Sequence, residues 1–496
     1  MGTRRDDIPG RQRAHIALEA LSPYRPHGTI SRLAREKAVS RQAIYDIAAA
    51  GKAVLETYLA PGRHGPQAVE TTIRVDRNRL ARGSVVLTEA GVSERDISLC
   101  LAELLDARVS PSWVNAELAQ REAAAATVNA EWHPAVGEVL SGDEIYSNGL
   151  PNLMVIGNDS LYIYALTRQP TCDGETWGCV LLDAPECPQF ASDAGKGLAA
   201  GADLAQIKRH QVDWDHLLRP LWGQAARLEE RAYAALNAVE ERAEHFDQAH
   251  TTKRLERNLA VWERLRADAE GQVQQYDAFR QIAEHIDEEF SLIDLSTGQI
   301  RDAAAGAERL RCLGQQLHTW NGRIYQKLSS YLVNLAEALF AYQPVLSQAL
   351  SPLVAQWGMP AIQALSCLWQ IEADDKRHPV AVPVHQARQR RWEAYLDQAA
   401  TLLGEHLGHA WDALSHVLGR SWRGSMLAEC VNSLLRPRLN ARKHTDQGGL
   451  DLFRFLHNVH PFQRGKRAGH SPAELVGLDV PSDLLTLLGL APKVSI

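Results

Sequence analysis

The sequence predicts a multidomain chain: two N-terminal all-α helix-turn-helix units, then a small α/β domain interrupted by a large all-α insertion. Three observations carry this. Residues 10–125 break into short amphipathic segments separated by tight turns. From about Glu138 the apolar spacing changes to that of strands, with a hairpin signal at Gly157-Asn158-Asp159-Ser160. Residues 200–425 return to a 3.6-residue period rich in Ala, Leu, Glu, Arg and Gln. The expected boundaries are 1–60 and 67–130 for the helical units, 135–200 and 425–496 for the two parts of the α/β domain, and 201–424 for the insertion.

Composition supports a globular chain. Of 496 residues, 45% are hydrophobic and 23% charged, ample for buried cores. No run of about 18 apolar residues marks a membrane span, and Met1-Gly2-Thr3-Arg4-Arg5 lacks the apolar stretch of a secretory signal. The seven cysteines form no C-x-x-C pair, which argues against a disulfide framework and a zinc ribbon. A cytoplasmic protein without membrane partners, nucleoid-associated when bound to DNA, is expected. The net charge of −7 is segregated: residues 1–82 carry +7, residues 430–470 carry +6, and the remainder −20. An acidic body with two basic blocks is the layout of a nucleic-acid binder whose bulk lies off the binding surface.

In order along the chain, Thr29 is placed to cap a helix through Ile30, Leu33 and Ala34, with a break at Lys37–Val39. Ser40 then caps a second helix carrying Arg41, Gln42 and Tyr45 on its opening turns, an arrangement suited to reading a major groove. Ala60–Pro66, with two glycines and two prolines, reads as a linker. The pattern recurs: Ser93 with Asp96 makes a capping-box-like start for a helix to about Asp106, and Ser110-Pro111 opens another after a turn. Val139–Tyr146 reads as a strand carrying acids near its end. Leu153–Ile156 and Leu161–Leu166 form the hairpin, Asp173–Leu182 a short helix, and Phe190–Gly195 a further strand ending in an aspartate and glycines. Helical pattern returns at Ser425–Arg442 and Leu450–Asn458.

Asp143 and Asp193 therefore stand at two strand ends, and Glu429 stands on a helix 236 residues later. Two divalent cations that clamp an in-line phosphoryl displacement need several hard oxygen ligands on rigid elements, and this pattern supplies three carboxylates. On the Glu429 helix, Asn432, Ser433 and Arg436 share its face at i+3, i+4 and i+7, so Asn432 can orient the carboxylate or touch a phosphate. Arg436, Arg438, Arg442, Lys443, Arg464, Lys466 and Arg467 are candidates for sequence-independent phosphate contacts.

These segments resemble the DDE transposases of bacterial insertion sequences, with their RNase H-like catalytic domain. The resemblance rests on Ser141-Gly142-Asp143-Glu144-Ile145-Tyr146 and Asp173–Gly178, then on Ser192–Leu198. It continues in Glu429-Cys430-Val431-Asn432-Ser433, His460–Arg467 and Ser471-Pro472-Ala473-Glu474-Leu475. Asp213-Trp214-Asp215-His216 is similar to the C/D-x-x-H motif that hAT- and Mutator-type enzymes carry after the second aspartate. The resemblance implies a metal-dependent transposase that cleaves and joins DNA at the inverted-repeat ends of a mobile element. Asp143, Asp193 and Glu429 would then hold two Mg²⁺ ions (Mn²⁺ able to substitute), with Asp213, His216 and Asn432 auxiliary. It further implies double-stranded terminal and target DNA as partners, a homodimer or higher oligomer on DNA, and a tryptophan in the insertion stacking on a base, with Trp320, Trp392 and Trp422 as candidates. Two alternatives stay open: a non-catalytic helix-turn-helix regulator, and an RNase H-like nuclease without joining activity. No P-loop, H-E-x-x-H or G-x-S-x-G motif is present.

Overall fold

The computed structural model describes residues 8–22, 25–59, 75–134, 137–244, 251–377, 382–441 and 445–492. The chain forms two compact units, Met1–Arg74 and Val75–Ile496. The expected linker Ala60–Pro66 lies outside the described residues.

The first unit is a helix trio, α1 (Gly10–Leu21), α2 (Thr29–Glu36) and α3 (Arg41–Leu59). Ile16, Ala20, Leu33 and Ile44 make its small core. Ser40 caps α3, its Oγ accepting from Ala43 N at 3.1 Å. The cap expected from Thr29 is not made. Gly28 occupies the N-cap with φ of +90°, a conformation glycine adopts without strain, and the Thr29 hydroxyl turns back to donate to the Pro26 carbonyl at 2.7 Å.

The second unit opens with α4 (Arg77–Glu89), α5 (Glu94–Leu105) and α6 (Pro111–Glu131). Ser93 and Ser110 are the caps the sequence announces, accepting from Asp96 N and Trp113 N. Of the second helix-turn-helix unit expected at 67–130, residues 67–74 lie outside the described residues, and the rest forms this trio. Its core of Val85, Ile97, Leu101, Val114 and Leu118 is completed by Leu452, Phe455, Leu456, Leu485 and Leu488 from the far end of the chain. The C-terminal strap is tied down by Asn78, Arg82 and Arg121, which donate to the carbonyls of Ala491 and Leu488.

Next comes a five-stranded sheet. Its strands are β1 (Leu140–Ser147), β2 (Leu150–Gly157), β3 (Ile163–Arg168), β4 (Phe190–Ser192) and β5 (His210–Val212), in spatial order β3-β2-β1-β4-β5. β2 runs antiparallel to β1 and β3, whereas β4 is parallel to β1 and β5 parallel to β4. Helices α7 (Gly174–Leu182) and α8 (Lys196–Leu204) cross between β3, β4 and β5 and cover one face through Trp177, Val180, Leu181 and Leu198. Asp173 caps α7.

Beyond the sheet come α9 (Asp215–Glu244), α10 (Thr252–Phe290), a two-residue ladder of β6 (Ile293–Asp294) with β7 (Gln299–Ile300), α11 (Ala303–His318) and α12 (Arg323–Asn334). After a short turn at Ala338–Phe340 follow α13 (Gln343–Trp357), α14 (Met359–Arg377), α15 (Val382–Leu403) and α16 (Leu407–Leu418). They share one core running from Val212 to Leu418. The expected start of the insertion at 201 falls inside α8, and β5 lies beyond it. The helical insertion therefore begins after Asp213. The chain leaves and returns at one point, because Trp214 N donates to the Arg423 carbonyl at 3.2 Å. Arg423 is half-buried there. It lies 3.7 Å over the Phe290 ring, on which Arg377 also stacks at 4.0 Å.

The chain then forms α17 (Met426–Ala441) and α18 (Gln447–Val459), which cover the other face of the sheet through Ala428, Val431, Leu435, Leu450 and Phe453. A single turn, α19 (Pro472–Leu475), follows with a complete capping box from Ser471 and Glu474.

Both outer strands are fitted with side chains. Along β3, Asn458 brackets Ile163 (accepting its N–H at 2.8 Å and donating to its carbonyl at 3.1 Å). Gln447 accepts from Arg168 N and donates to the Leu166 carbonyl, and His457 hydrogen-bonds the Leu161 carbonyl at 2.9 Å. Along β5, Gln211 donates to the Leu339 carbonyl and accepts from Tyr342 N.

His457 gives a pH test of this packing. Burial pushes its imidazole down to about 4 from the ordinary 6.5. Between pH 6.5 and 4 the unfolded chain takes a proton at this position that the folded chain refuses, so folding stability falls as the pH drops through that window. The loss should reach at most about 3 kcal/mol. Urea denaturation at pH 7.5 and 5.0 should show a smaller difference for His457→Gln than for wild type. Equal differences would mean that the imidazole is not held neutral.

Candidate active site

Side chains alternate across a strand, and β1 obeys this. Leu140 packs on the α7/α8 face, and a Cβ on Gly142 would strike the Phe190 ring at 2.5 Å on that same side. Ile145 packs on the α17 face. Asp143 therefore points to α17 and Glu144 to α8. The pairing of Leu140 with Phe190 and Ser141 with Ala191, continued by two residues, sets Asp193 beside Asp143. Asp193 Oδ1 accepts from Gly195 N at 2.8 Å, a turn that starts α8 and fixes the carboxylate. Glu429 sits on the first turn of α17, and one turn later the buried Asn432 donates from Nδ2 to Asp143 Oδ2 at 2.7 Å.

Electrostatics tie the three acids together. Burial pushes the Asp143 carboxyl up to about 6; the Asn432 hydrogen bond opposes this, and the charges of Asp193 and Glu429 add to it. Glu144, which the sequence reading did not select, rises to about 7 through burial and the charges of Asp193 and Asp143. Its adjacency to Asp143 was visible in the sequence; its nearness to Asp193 depends on the parallel β1–β4 register, which leaves no local signal. Among the described residues no three His, Cys, Asp or Glu side chains form a closed metal-ligand set. The carboxylates gather beside the β1–β4 pair without converging on a single point; Asp193 follows the last residue of β4, but Asp143, expected at a strand end, sits in the middle of β1 because pairing with β2 carries that strand on to Ser147.

Asp213 and His216 stand directly behind this cluster, at the exit to the insertion. Asp213 is 2% exposed. Burial pulls its pKa upward, but hydrogen bonds from His216, Ser425 and Asp215 together hold it below the usual value. Ser425 contributes both its backbone N–H and its hydroxyl, each at 2.9 Å, so the Asp213 carboxylate anchors the chain immediately before α17. The Tyr331 hydroxyl from α12 donates to the Asp213 carbonyl at 3.0 Å. His216 Nδ1 lies 3.5 Å from Asp213 Oδ2, and that partnership, then the charges of Asp193 and Glu429, raise its pKa against the effect of burial.

The basic candidates divide into two groups. Arg41, Gln42 and Tyr45 are exposed on the opening turns of α3, with Gln42 donating to Asp46 at 3.0 Å. Arg436, Arg464 and Lys466 are also exposed. Arg438 turns inward instead: its guanidinium donates to the Glu89 carbonyl, lies 4.4 Å over the Phe453 ring, and is pushed down to about 10 by burial. Arg467 is likewise engaged by the carbonyls of Asn158 and Asp159. Both fasten the fold and have little left to offer a phosphate. Arg442 and Lys443 lie outside the described residues. Of the tryptophans, Trp320 stacks with Phe279 and Tyr325, and Trp392 packs on the insertion core. The Trp422 carbonyl accepts from Gln189. Among known proteins, no family model and no curated sequence matches this chain.

Proposed function

We propose that the chain is a DDE-type transposase with an RNase H-like catalytic domain, cleaving and joining DNA at the ends of a mobile element. The observation that carries this reading is the gathering of Asp143, Asp193 and Glu429, from three distant segments, beside the parallel β1–β4 pair. The strand order β3-β2-β1-β4-β5 with only β2 reversed supports it, as does the return of the chain to that point through the Asp213–Ser425 contact.

The donor set fits Mg²⁺ or Mn²⁺, since all three candidate ligands are hard carboxylate oxygens whose mutual repulsion a cation would relieve. Asp143, Asp193 and Glu429 would hold it. When bound, the metal supplies Lewis-acid activation of the attacking oxygen and stabilisation of the leaving 3′-oxygen. The protein's own part is positional. Asn432 holds the Asp143 carboxylate toward α17, Asp213 fixes the chain that delivers Glu429, and His216 partners Asp213 beside the acids. Arg436, Arg464 and Lys466 supply phosphate contacts near α17 and the 462–470 turn. Processing two element ends together calls for two or more copies of the chain.

The test is incubation with the DNA flanking its gene, Mg²⁺ and a labelled target. Cleaved ends joined to the target are expected. Cleavage without joined product would leave a nuclease, and specific binding without cleavage a regulator.

Recognition is assigned to the first unit. Replacing Arg41 and Gln42 by Ala should lower discrimination between terminal and random DNA by about 1–3 kcal/mol per lost base contact, with a smaller effect on total binding. Gel-shift competition measures this, and unchanged discrimination would move the reader to α6.

A further inference from the structure

At the β3 margin of the sheet, a cavity of about 460 Å³ opens between β3, α7, α18 and the end of α6. Its most unusual wall group is Arg454. The Arg454 Nε donates to the Ile163 carbonyl at 3.0 Å, which fixes the guanidinium, yet among the described residues no carboxylate pairs with it. Asp451, one turn earlier, contributes only at longer range, and its Oδ1 accepts from Gln447. Partial burial disfavours this charge, and the Tyr162 hydroxyl beside it opposes that effect without neutralising it, so an anion in the cavity would meet a held guanidinium.

A further wall atom lacks a partner. Asn129 is 5% exposed and donates its amide to the Asp451 carbonyl at 2.9 Å, but its Oδ1 has no donor among the described residues. The Tyr162 hydroxyl is buried against Arg454 and Asn458, both of which engage it. Trp132 and Tyr164 add ring surface, and Asp183, the only carboxylate lining the cavity, is exposed.

We propose that this cavity binds a nucleotide, with phosphate on the Arg454 fork, the base against Trp132 and Tyr164, and an exocyclic amine toward Asn129. Volume, a guanidinium without a carboxylate partner, aromatic surface and an unmet acceptor each match one part of that ligand. The site is separate from the acidic cluster and does not depend on strand cleavage. Free nucleotides and nucleotides within a strand share this chemistry.

Cys179 lines the cavity with an exposed thiol, and Cys312, elsewhere, is an exposed reference. Iodoacetamide labelling of the full chain is followed by peptide mass spectrometry with dAMP, inorganic phosphate or a short 5′-phosphorylated oligo(dA). Either dAMP or the oligonucleotide should slow Cys179 labelling about tenfold and leave Cys312 unchanged, phosphate alone having little effect. Protection by dAMP identifies a free nucleotide as ligand, and protection by the oligonucleotide alone a nucleotide within a strand. Thr167→Trp fills the cavity without touching Arg454 and should abolish protection at unchanged melting temperature; Arg454→Lys should weaken it about tenfold. No protection by either nucleotide at about 10 mM, equal protection by phosphate, or full protection in Thr167→Trp would overturn the assignment.

Discussion

Asp143→Asn, Asp193→Asn and Glu429→Gln should each reduce cleavage of terminal DNA to below about a thousandth of wild type, with DNA binding retained. That exceeds the 10–100-fold loss typical of removing a group that only orients a ligand, which is the effect expected for Asn432→Ala. The same substitution at Asp143 should stabilise the metal-free protein. Its folded carboxyl titrates at about 6, above the ordinary 3.8, so its contribution to stability is full at low pH and is lost as the pH rises through 6. At pH 8 the carboxylate opposes folding, and Asp143→Asn should recover about 1–2 kcal/mol. A variant that is dead in cleavage yet melts higher at pH 8 cannot be explained by misfolding. Wild-type cleavage in any of the three would remove that residue from the site.

Asp213→Ala should be the most damaging single change behind the site. It leaves the buried Ser425 N–H and hydroxyl without their acceptor, and breaking one partner of a buried charged network costs about 3–5 kcal/mol. Asp213→Asn keeps an acceptor oxygen and should lose much less stability. Its cleavage should still fall, because His216 loses the partner that raises its pKa and Ser425 is held less firmly before α17. Chemical denaturation separates the two variants. Cleavage by Asp213→Asn equal to wild type would reduce this network to a purely structural role.

The sequence and the structure agree where chemistry is local. Ser40, Ser93, Ser110 and Asp173 announce their helices because a cap is a contact across three residues. The β2–β3 hairpin is legible from apolar runs around a polar turn. β5 was not: His210-Gln211-Val212 is three residues long, shows no alternation, and becomes a strand only because β4 lies beside it. The shared core of α4–α6 with α18 was hidden for the same reason, since it joins residues more than 300 positions apart. The site divides likewise. Asp143, Asp193 and Glu429 were readable as strand and helix acids, whereas Glu144, Tyr331 and the anchoring by Ser425 depend on register and long-range packing. The inward turn of Arg438 and Arg467 is equally a tertiary fact, invisible in a basic stretch of sequence.

The side chains that line the two outer strands also bear on self-association. Strands β3 and β5 are the margins of the sheet, where an open row of backbone groups would invite another chain to add a strand. Gln447, His457 and Asn458 fill much of that row on β3, and Gln211 with the 338–342 turn covers β5. Sheet extension between copies is therefore hindered along β3. A second copy of the chain finds few free backbone groups on β3 with which to extend the sheet.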